Sequence, residues 1–245
     1  MSEESNISID SVSVPFEDGQ TIMDAAMAAG VYIPHLCHNP EFAPHGSCRV
    51  CTVSVNGRIQ AACVTPAAHG QEVLNNEPQV NLYRRRLLQM LFVEGNHQCP
   101  ACEKSGNCQL QAVAYYVGML SPHFNHFYPR KLLDASHPDV VIDFNRCILC
   151  ALCVRASSDV DKKNVFAIRG RGIDAHLGVH SPTGKLGDTS FDVDDKAAQV
   201  CPVGAILLKG EAYQRPIGQR RYDLEPISLV GDVRAAQRTG EPNGG

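Results

Sequence analysis

The sequence predicts an α+β protein of three small units in series, each built round its own group of cysteines. Three observations predict this. Apolar residues alternate at period two near the N-terminus and form short strand-like runs after residue 138, whereas between residues 80 and 117 they recur at three and four. The eleven cysteines fall into three clusters of position. With 44% hydrophobic and 20% charged residues among its 245, the chain can bury cores and does not read as disordered.

In residues 5–82, Ile7 and Ile9, then Val12 and Val14, alternate with polar neighbours on either side of Asp10-Ser11, the pattern of a two-stranded hairpin. A helix follows. Thr21 and Asp24 make a capping-box pair, Ile22, Ala25, Ala26 and Ala29 form one apolar face, and Gly30 stands where a C-terminal cap belongs. Val50 to Val55 leads into Asn56-Gly57, a strong hairpin signal, and Arg58 to Ala62 returns. Strands round one helix suggest a β-grasp, ferredoxin-like domain.

From about Glu77 the period changes: Val80, Tyr83, Leu87, Leu88, Leu91 and Phe92 define an amphipathic helix with Gly95 as its stop. Its Arg84-Arg85-Arg86 run reads as a solvated face without a function of its own. A second helix is expected from Gln109 to Gly118, with Leu110, Val113, Ala114 and Val117 inward, which completes a small helical domain over residues 83–122. Ser121 to Pro138, with three prolines and His123, His126 and His137, reads as a linker carrying surface histidines. Residues 138–212 hold Val140 to Ile142, Val165 to Ile168, Phe191 to Val193 and Ile206 to Leu208, short strands of a second α+β domain. The tail, residues 213–245, contains Arg215, Arg220, Arg221, Asp223 and Glu225, and its end from Thr239 is expected to be flexible.

Twenty-six acidic against 22 basic residues leave a net charge of −4, which lacks the basic excess of a nucleic-acid binder. Apolar runs such as Ala205 to Leu208 fall far short of the ~18 residues of a membrane span. The acidic start, Met1-Ser-Glu-Glu, has no basic region before an apolar run, so a cytoplasmic protein is expected. In such a compartment an odd number of clustered cysteines points to metal ligation rather than disulfides.

Cys37, Cys48, Cys51 and Cys63 are spaced C-x10-C-x2-C-x11-C. Four thiolates, two on a tight loop and two brought in by the fold, suit a [2Fe-2S] cluster; the alternative, a four-cysteine zinc site, ordinarily uses two C-x2-C knuckles. Gly46 and Ser47 leave backbone amides free to approach the sulfurs. Cys147, Cys150 and Cys153, with Cys201-Pro202 downstream, are the bacterial ferredoxin arrangement for one [4Fe-4S] cluster. Cys99, Cys102 and Cys108 remain. Three cysteines take a different fourth ligand or keep an open iron, and His97, two residues before Cys99, is the local imidazole available to a second [4Fe-4S] cluster.

This order of modules resembles the N-terminal part of the large iron-sulfur subunit of respiratory complex I, and related modules occur in iron-only hydrogenases. The wording Glu94-Gly-Asn-His-Gln-Cys-Pro-Ala-Cys-Glu-Lys-Ser-Gly-Asn-Cys-Gln-Leu-Gln, with Pro216-Ile-Gly-Gln-Arg-Arg-Tyr-Asp near the end, is most similar to the diaphorase small subunits of NAD-reducing [NiFe] hydrogenases. The superfamily pattern H-x3-C would place histidine at position 95, where this chain has Gly95, so His97 departs from it. The resemblance implies a non-catalytic electron-transfer subunit in hydrogen:NAD+ oxidoreductase. FMN, NAD and the NiFe centre would belong to partners: a flavin-containing, NADH-binding diaphorase subunit and the hydrogenase small and large subunits. Electrons would pass from the flavoprotein to the Cys37 site, then the Cys147 site, then the His97 site. In agreement, the chain shows no G-x-G-x-x-G after a strand and no Walker motif. Alternatives are an equivalent subunit of an NAD-dependent formate dehydrogenase or a complex I-type NADH dehydrogenase, whose subunit continues into a large further domain, and, from a different class, a zinc-binding interaction module.

Overall fold

The structure, a computed structural model, describes residues 5–231. The expectation of a flexible end from Thr239 therefore lies outside the described residues.

Strands β1 (Asn6–Ile9) and β2 (Val12–Pro15) form the first hairpin, with Ile7 opposite Val14 and Ile9 opposite Val12. Helix α1 (Ile22–Ala28) starts at the capping box: the Asp24 amide donates to Thr21 Oγ1 and the Thr21 amide to Asp24 Oδ2 at 2.9 Å. Strands β3 (Thr52–Val55) and β4 (Arg58–Ala61) turn at Asn56 and Gly57, both at positive φ, the combination a tight two-residue hairpin requires. With β5 (Glu72–Leu74) they make one sheet in the order β2-β1-β5-β3-β4, in which β1 and β5 run parallel and the other pairs antiparallel. Ile7, Ile9, Val14, Ile22, Ala25, Ala26, Val53 and Val73 fill the space between sheet and helix, and Cys51 and Cys63 lie within the same core.

Helices α2 (Pro78–Glu94) and α3 (Gln109–Tyr116) follow, with Leu88, Leu110, Val113 and Val117 in a common core. The arginine run does not form one solvated face. Arg84 is 1% exposed, because α2 lies against β3 and the first turns of the helix are covered on that side.

Residues 121–138 are less independent than a linker. Strand β6 (Leu133–Asp134) pairs with β7 (Val140–Asp143), and β10 (Ile206–Leu208) flanks β7 on the other side. Between β7 and β10 come α4 (Leu152–Arg155), the hairpin β8 (Phe166–Arg169) and β9 (His176–Val179), and α5 (Lys196–Gln199). His123 and His126 are exposed as expected, but His137 is buried. Its Nδ1 accepts from the Asp139 amide and its Nε2 lies 3.1 Å from the Phe191 carbonyl, so a neutral ring satisfies both bonds. Phe191 to Val193 is not a strand. The Asp192 amide donates to the Asp195 carboxylate and the Asp194 amide to Asp192, side-chain turns that take the backbone groups a ladder would need. Phe191 still packs inward, edge-on to Phe166.

The first part of the tail crosses the loop that holds Cys99, Cys102 and Cys108. Tyr213 donates its hydroxyl to Ala101 O, the Arg221 amide donates to Asn107 Oδ1 and the Tyr222 amide to Gly106 O. Helix α6 (Ile227–Val230) then packs Ile227 beside α3.

Candidate metal centres

None of the eleven cysteines is in a disulfide. In the first group the thiols form two pairs. The Cys48 amide donates to Cys37 Sγ at 3.4 Å, and Cys51 Sγ lies 3.3 Å from Cys63 Sγ. The loop that achieves this turns through Gly46 and Arg49, both left-handed; a Cβ at Gly46 would press on Val64 at 3.1 Å. A side-chain hydrogen bond from the Cys48 thiol, against the opposing effect of burial, brings the Cys37 thiol down to about 5, and that side-chain bond, with burial, raises Cys48 well above the usual thiol range. Cys51 and Cys63 divide likewise, Cys51 up and Cys63 down. The amides of Ser47 and Gly46 face Cys37 and Cys63 and favour their thiolates, as expected from the glycine and serine in the loop.

In the second group, His97, Cys99, Cys102 and Cys108 line one recess with Phe92, Arg146 and Gly204; its empty space is about 310 Å³, part of it open to solvent. Cys99 opens a single turn of tight helix and Cys108 caps the start of α3. Burial pushes the Cys108 thiol up to about 12. His97 is brought down to about 4 by burial and then by the Arg146 charge, so its ring is neutral, and its buried Nε2 has no hydrogen-bond partner. That nitrogen lies 2.5 Å from where a Cβ on Gly95 would stand. The imidazole of residue 97 therefore occupies space beside the position at which the superfamily pattern puts its histidine, and it needs glycine at 95.

In the third group, Leu149 and Ala151 are both left-handed, which curls the C-x2-C-x2-C run so that Cys147, Cys150 and Cys153 join Cys201 in one apolar cluster. Burial raises Cys147 to about 11 and Cys153 well beyond the usual range, with the other thiols of the set adding to the rise.

The third site borders both others. Arg155, two residues after Cys153, donates to the Cys37 carbonyl at 2.5 Å, and Cys48 packs in the same cluster as Cys147, Cys150 and Cys201. A Cβ on Gly204 would be 3.0 Å from Cys102 Sγ, and Arg146, next to Cys147, donates to Cys102 Sγ at 3.7 Å while pairing with Asp143 and Glu103. Arg146, Arg155 and Gly204 carry no local signal in the sequence, since only the fold brings them beside another group's cysteine.

The donor sets fit iron-sulfur clusters. Two sulfur pairs suit two irons whose remaining positions are filled by bridging sulfide, and a neutral imidazole in the same recess as three thiols offers a fourth donor. Thiols as buried as Cys108 and Cys153 become stable thiolates only when a cationic centre compensates them.

Three family models match successive segments of the chain. Residues 2–78 match the family described as a 2Fe-2S iron-sulfur cluster binding domain, residues 84–123 the NADH-ubiquinone oxidoreductase-G iron-sulfur binding region, and residues 140–208 a 4Fe-4S single cluster domain. The chain is 39% identical over 228 residues to the gamma subunit of the NAD-reducing hydrogenase HoxS of Cupriavidus necator, covering 90% of this chain and 94% of that protein. It is 30% identical to the mitochondrial NADH-ubiquinone oxidoreductase 78 kDa subunit of Candida albicans, over 93% of this chain but only 32% of that protein. A chain in the crystal structure of an NAD+-reducing [NiFe]-hydrogenase in the H2-reduced state superposes with a TM-score of 0.89 at 52% identity, covering 91% of this chain and 95% of that one. No helix among the described residues is long and apolar enough to cross a membrane.

Proposed function

This chain belongs to the family of the NAD-reducing hydrogenase gamma subunit, and from that premise we propose that it is the iron-sulfur, electron-transfer subunit of a cytoplasmic complex that interconverts H2 + NAD+ with NADH + H+. It contributes no active site of its own: a flavin-containing, NADH-binding diaphorase subunit and the [NiFe] hydrogenase small and large subunits hold the reacting groups. Bound iron-sulfur clusters supply one-electron transfer. The chain's residues hold and surround them. Cys37, Cys48, Cys51 and Cys63 hold a [2Fe-2S] cluster; His97, Cys99, Cys102 and Cys108 hold one [4Fe-4S]; Cys147, Cys150, Cys153 and Cys201 hold the other. Residues 5–82, 83–122 and 138–212 form the three corresponding domains.

The observation that supports the relay is the adjacency of the three thiol sites, which share apolar clusters through Cys48, Cys147 and Cys201. Cys37, Cys51, Cys63, Cys108, Cys150 and Cys153 are buried, while the amides of Gly46 and Ser47 and the guanidinium of Arg146 offer selected polar contacts that set the electronic environment. Anaerobic purification with iron, sulfide and zinc analysis tests the assignment. About ten irons per chain are expected from one [2Fe-2S] and two [4Fe-4S] clusters. Stoichiometric zinc in a folded, colourless protein refutes it.

A further inference from the structure

Arg84 is a cation inside the molecule and, within the described residues, has no carboxylate among its hydrogen-bond partners. Its Nη1 donates to Asn75 O at 2.7 Å and Asn81 Oδ1 at 3.2 Å, and its Nη2 to Thr52 O and Asn75 Oδ1, both at 2.7 Å. Its Nε is buried without a partner. Every acceptor is neutral. The carboxylate of Asp10, in the same region, is used by the amides of Asn75 and Asn76. An uncompensated buried charge is costly, and hydrogen bonds to neutral carbonyls offset only part of that cost. A lysine or glutamine able to reach the same carbonyls would dock α2 on β3, so the anchoring role alone does not require a permanent charge.

What distinguishes the position is its neighbour. Thr52, whose carbonyl Arg84 binds, directly follows Cys51, and Cys51 is buried in the core beneath the same sheet. Burial brings the Arg84 guanidinium down to about 10, and Tyr116, Cys51, Asp10 and Tyr32 act in the opposite direction. Two ferric irons, two sulfides and four thiolates sum to a dianion, and one-electron reduction makes it more negative still. A fixed cation in a low-dielectric interior stabilises the reduced form more than the oxidised one.

We propose that Arg84 is a buried counter-charge that raises the reduction potential of the [2Fe-2S] cluster held by Cys37, Cys48, Cys51 and Cys63, while tying the helical domain to the sheet. It is a positioning residue and ligates nothing. The inference rests on the assignment of that cluster to those cysteines.

The test is an EPR-monitored redox titration of the cluster-loaded protein with Arg84→Gln, Arg84→Met and Arg84→Lys. In the Gln and Met variants the [2Fe-2S] signal keeps its shape, but its one-electron reduction becomes at least about tenfold less favourable, a downward shift of about 59 mV. The two [4Fe-4S] potentials move much less. Arg84→Lys, which keeps the charge and loses the fork of bonds, stays near the wild-type potential. Equal potentials in wild type and Arg84→Gln overturn the proposal and leave the cluster assignment standing. If Gln and Met variants fail to retain the cluster, Arg84→Lys decides through pH: a potential that falls below that of wild type as the buried lysine loses its proton at high pH supports the proposal, and one that tracks wild type at every pH, or is low with the charge kept, overturns it. Absence of any [2Fe-2S] signal from loaded wild-type protein overturns the assignment and the proposal together.

Discussion

Replacing Gly95 with alanine tests whether the His97 ring lies where the structure puts it. The added Cβ would meet His97 Nε2 at 2.5 Å, His97 Cδ2 at 2.7 Å and the Asn145 carbonyl at 2.9 Å. The carbonyl is a poor candidate to yield, because it accepts from the Asn96 amide at 2.9 Å and the Asn145 side chain is tied to Lys131 and Asp143. The backbone at Gly95 itself is extended, with φ −109°, so alanine meets no conformational barrier there. The imidazole must therefore turn. Overpacking of this kind costs about 1–3 kcal/mol, and the reduced freedom of the unfolded chain returns about 0.4–1 kcal/mol, which at the middle of both ranges leaves a net loss of about 1–2 kcal/mol. For a chain of this size that lowers Tm by about 2–8 °C. Thermal unfolding of the cluster-loaded protein, followed anaerobically alongside EPR, gives both readouts. Gly95→Ala should lower Tm and alter one [4Fe-4S] signal while the [2Fe-2S] signal is unchanged. An unchanged or raised Tm with all cluster signals intact refutes the placement of His97 against Gly95.

His97→Ala should perturb the same [4Fe-4S] signal, and His97→Cys should lower that cluster's potential because an anionic thiolate replaces a neutral imidazole; unchanged spectra and potential in both make His97 a bystander. Cys150→Ala in the assembled complex should spare NADH-dependent and H2-dependent dye reduction while H2-driven NAD reduction collapses, and coupled turnover without that cluster would sink the relay. Asp223 accepts from the Gly218 and Arg220 amides and pairs with the Arg220 guanidinium, whose side chain lies against Gly106, so Asp223→Ala should loosen the tail over the Cys99 loop. The expected result is loss of [4Fe-4S] absorbance to an iron chelator several-fold faster than in wild type; equal rates would show that the tail does not shield the site.

The three cysteine groups are legible in the sequence because ligand spacing is local: a C-x2-C loop places two sulfurs together before any long-range contact forms. The capping box at Thr21, the Asn56-Gly57 turn and the change of period at residue 77 are legible for the same reason, since each is settled within a few residues. Phe191 to Val193 misleads because its apolar alternation is real, yet Asp192 and Asp195 close turns that compete with strand pairing. His137 and Arg84 read as surface residues but are buried, because burial depends on what arrives from elsewhere in the chain, the Phe191 carbonyl for one and β3 for the other. Local order and ligand chemistry follow from short stretches of residues. Which sites adjoin, which charge is enclosed and which imidazole stands beside Gly95 depend on contacts such as Arg155 with Cys37 and Gly204 with Cys102, between residues far apart in the chain, and these exist only once the separate cores have packed.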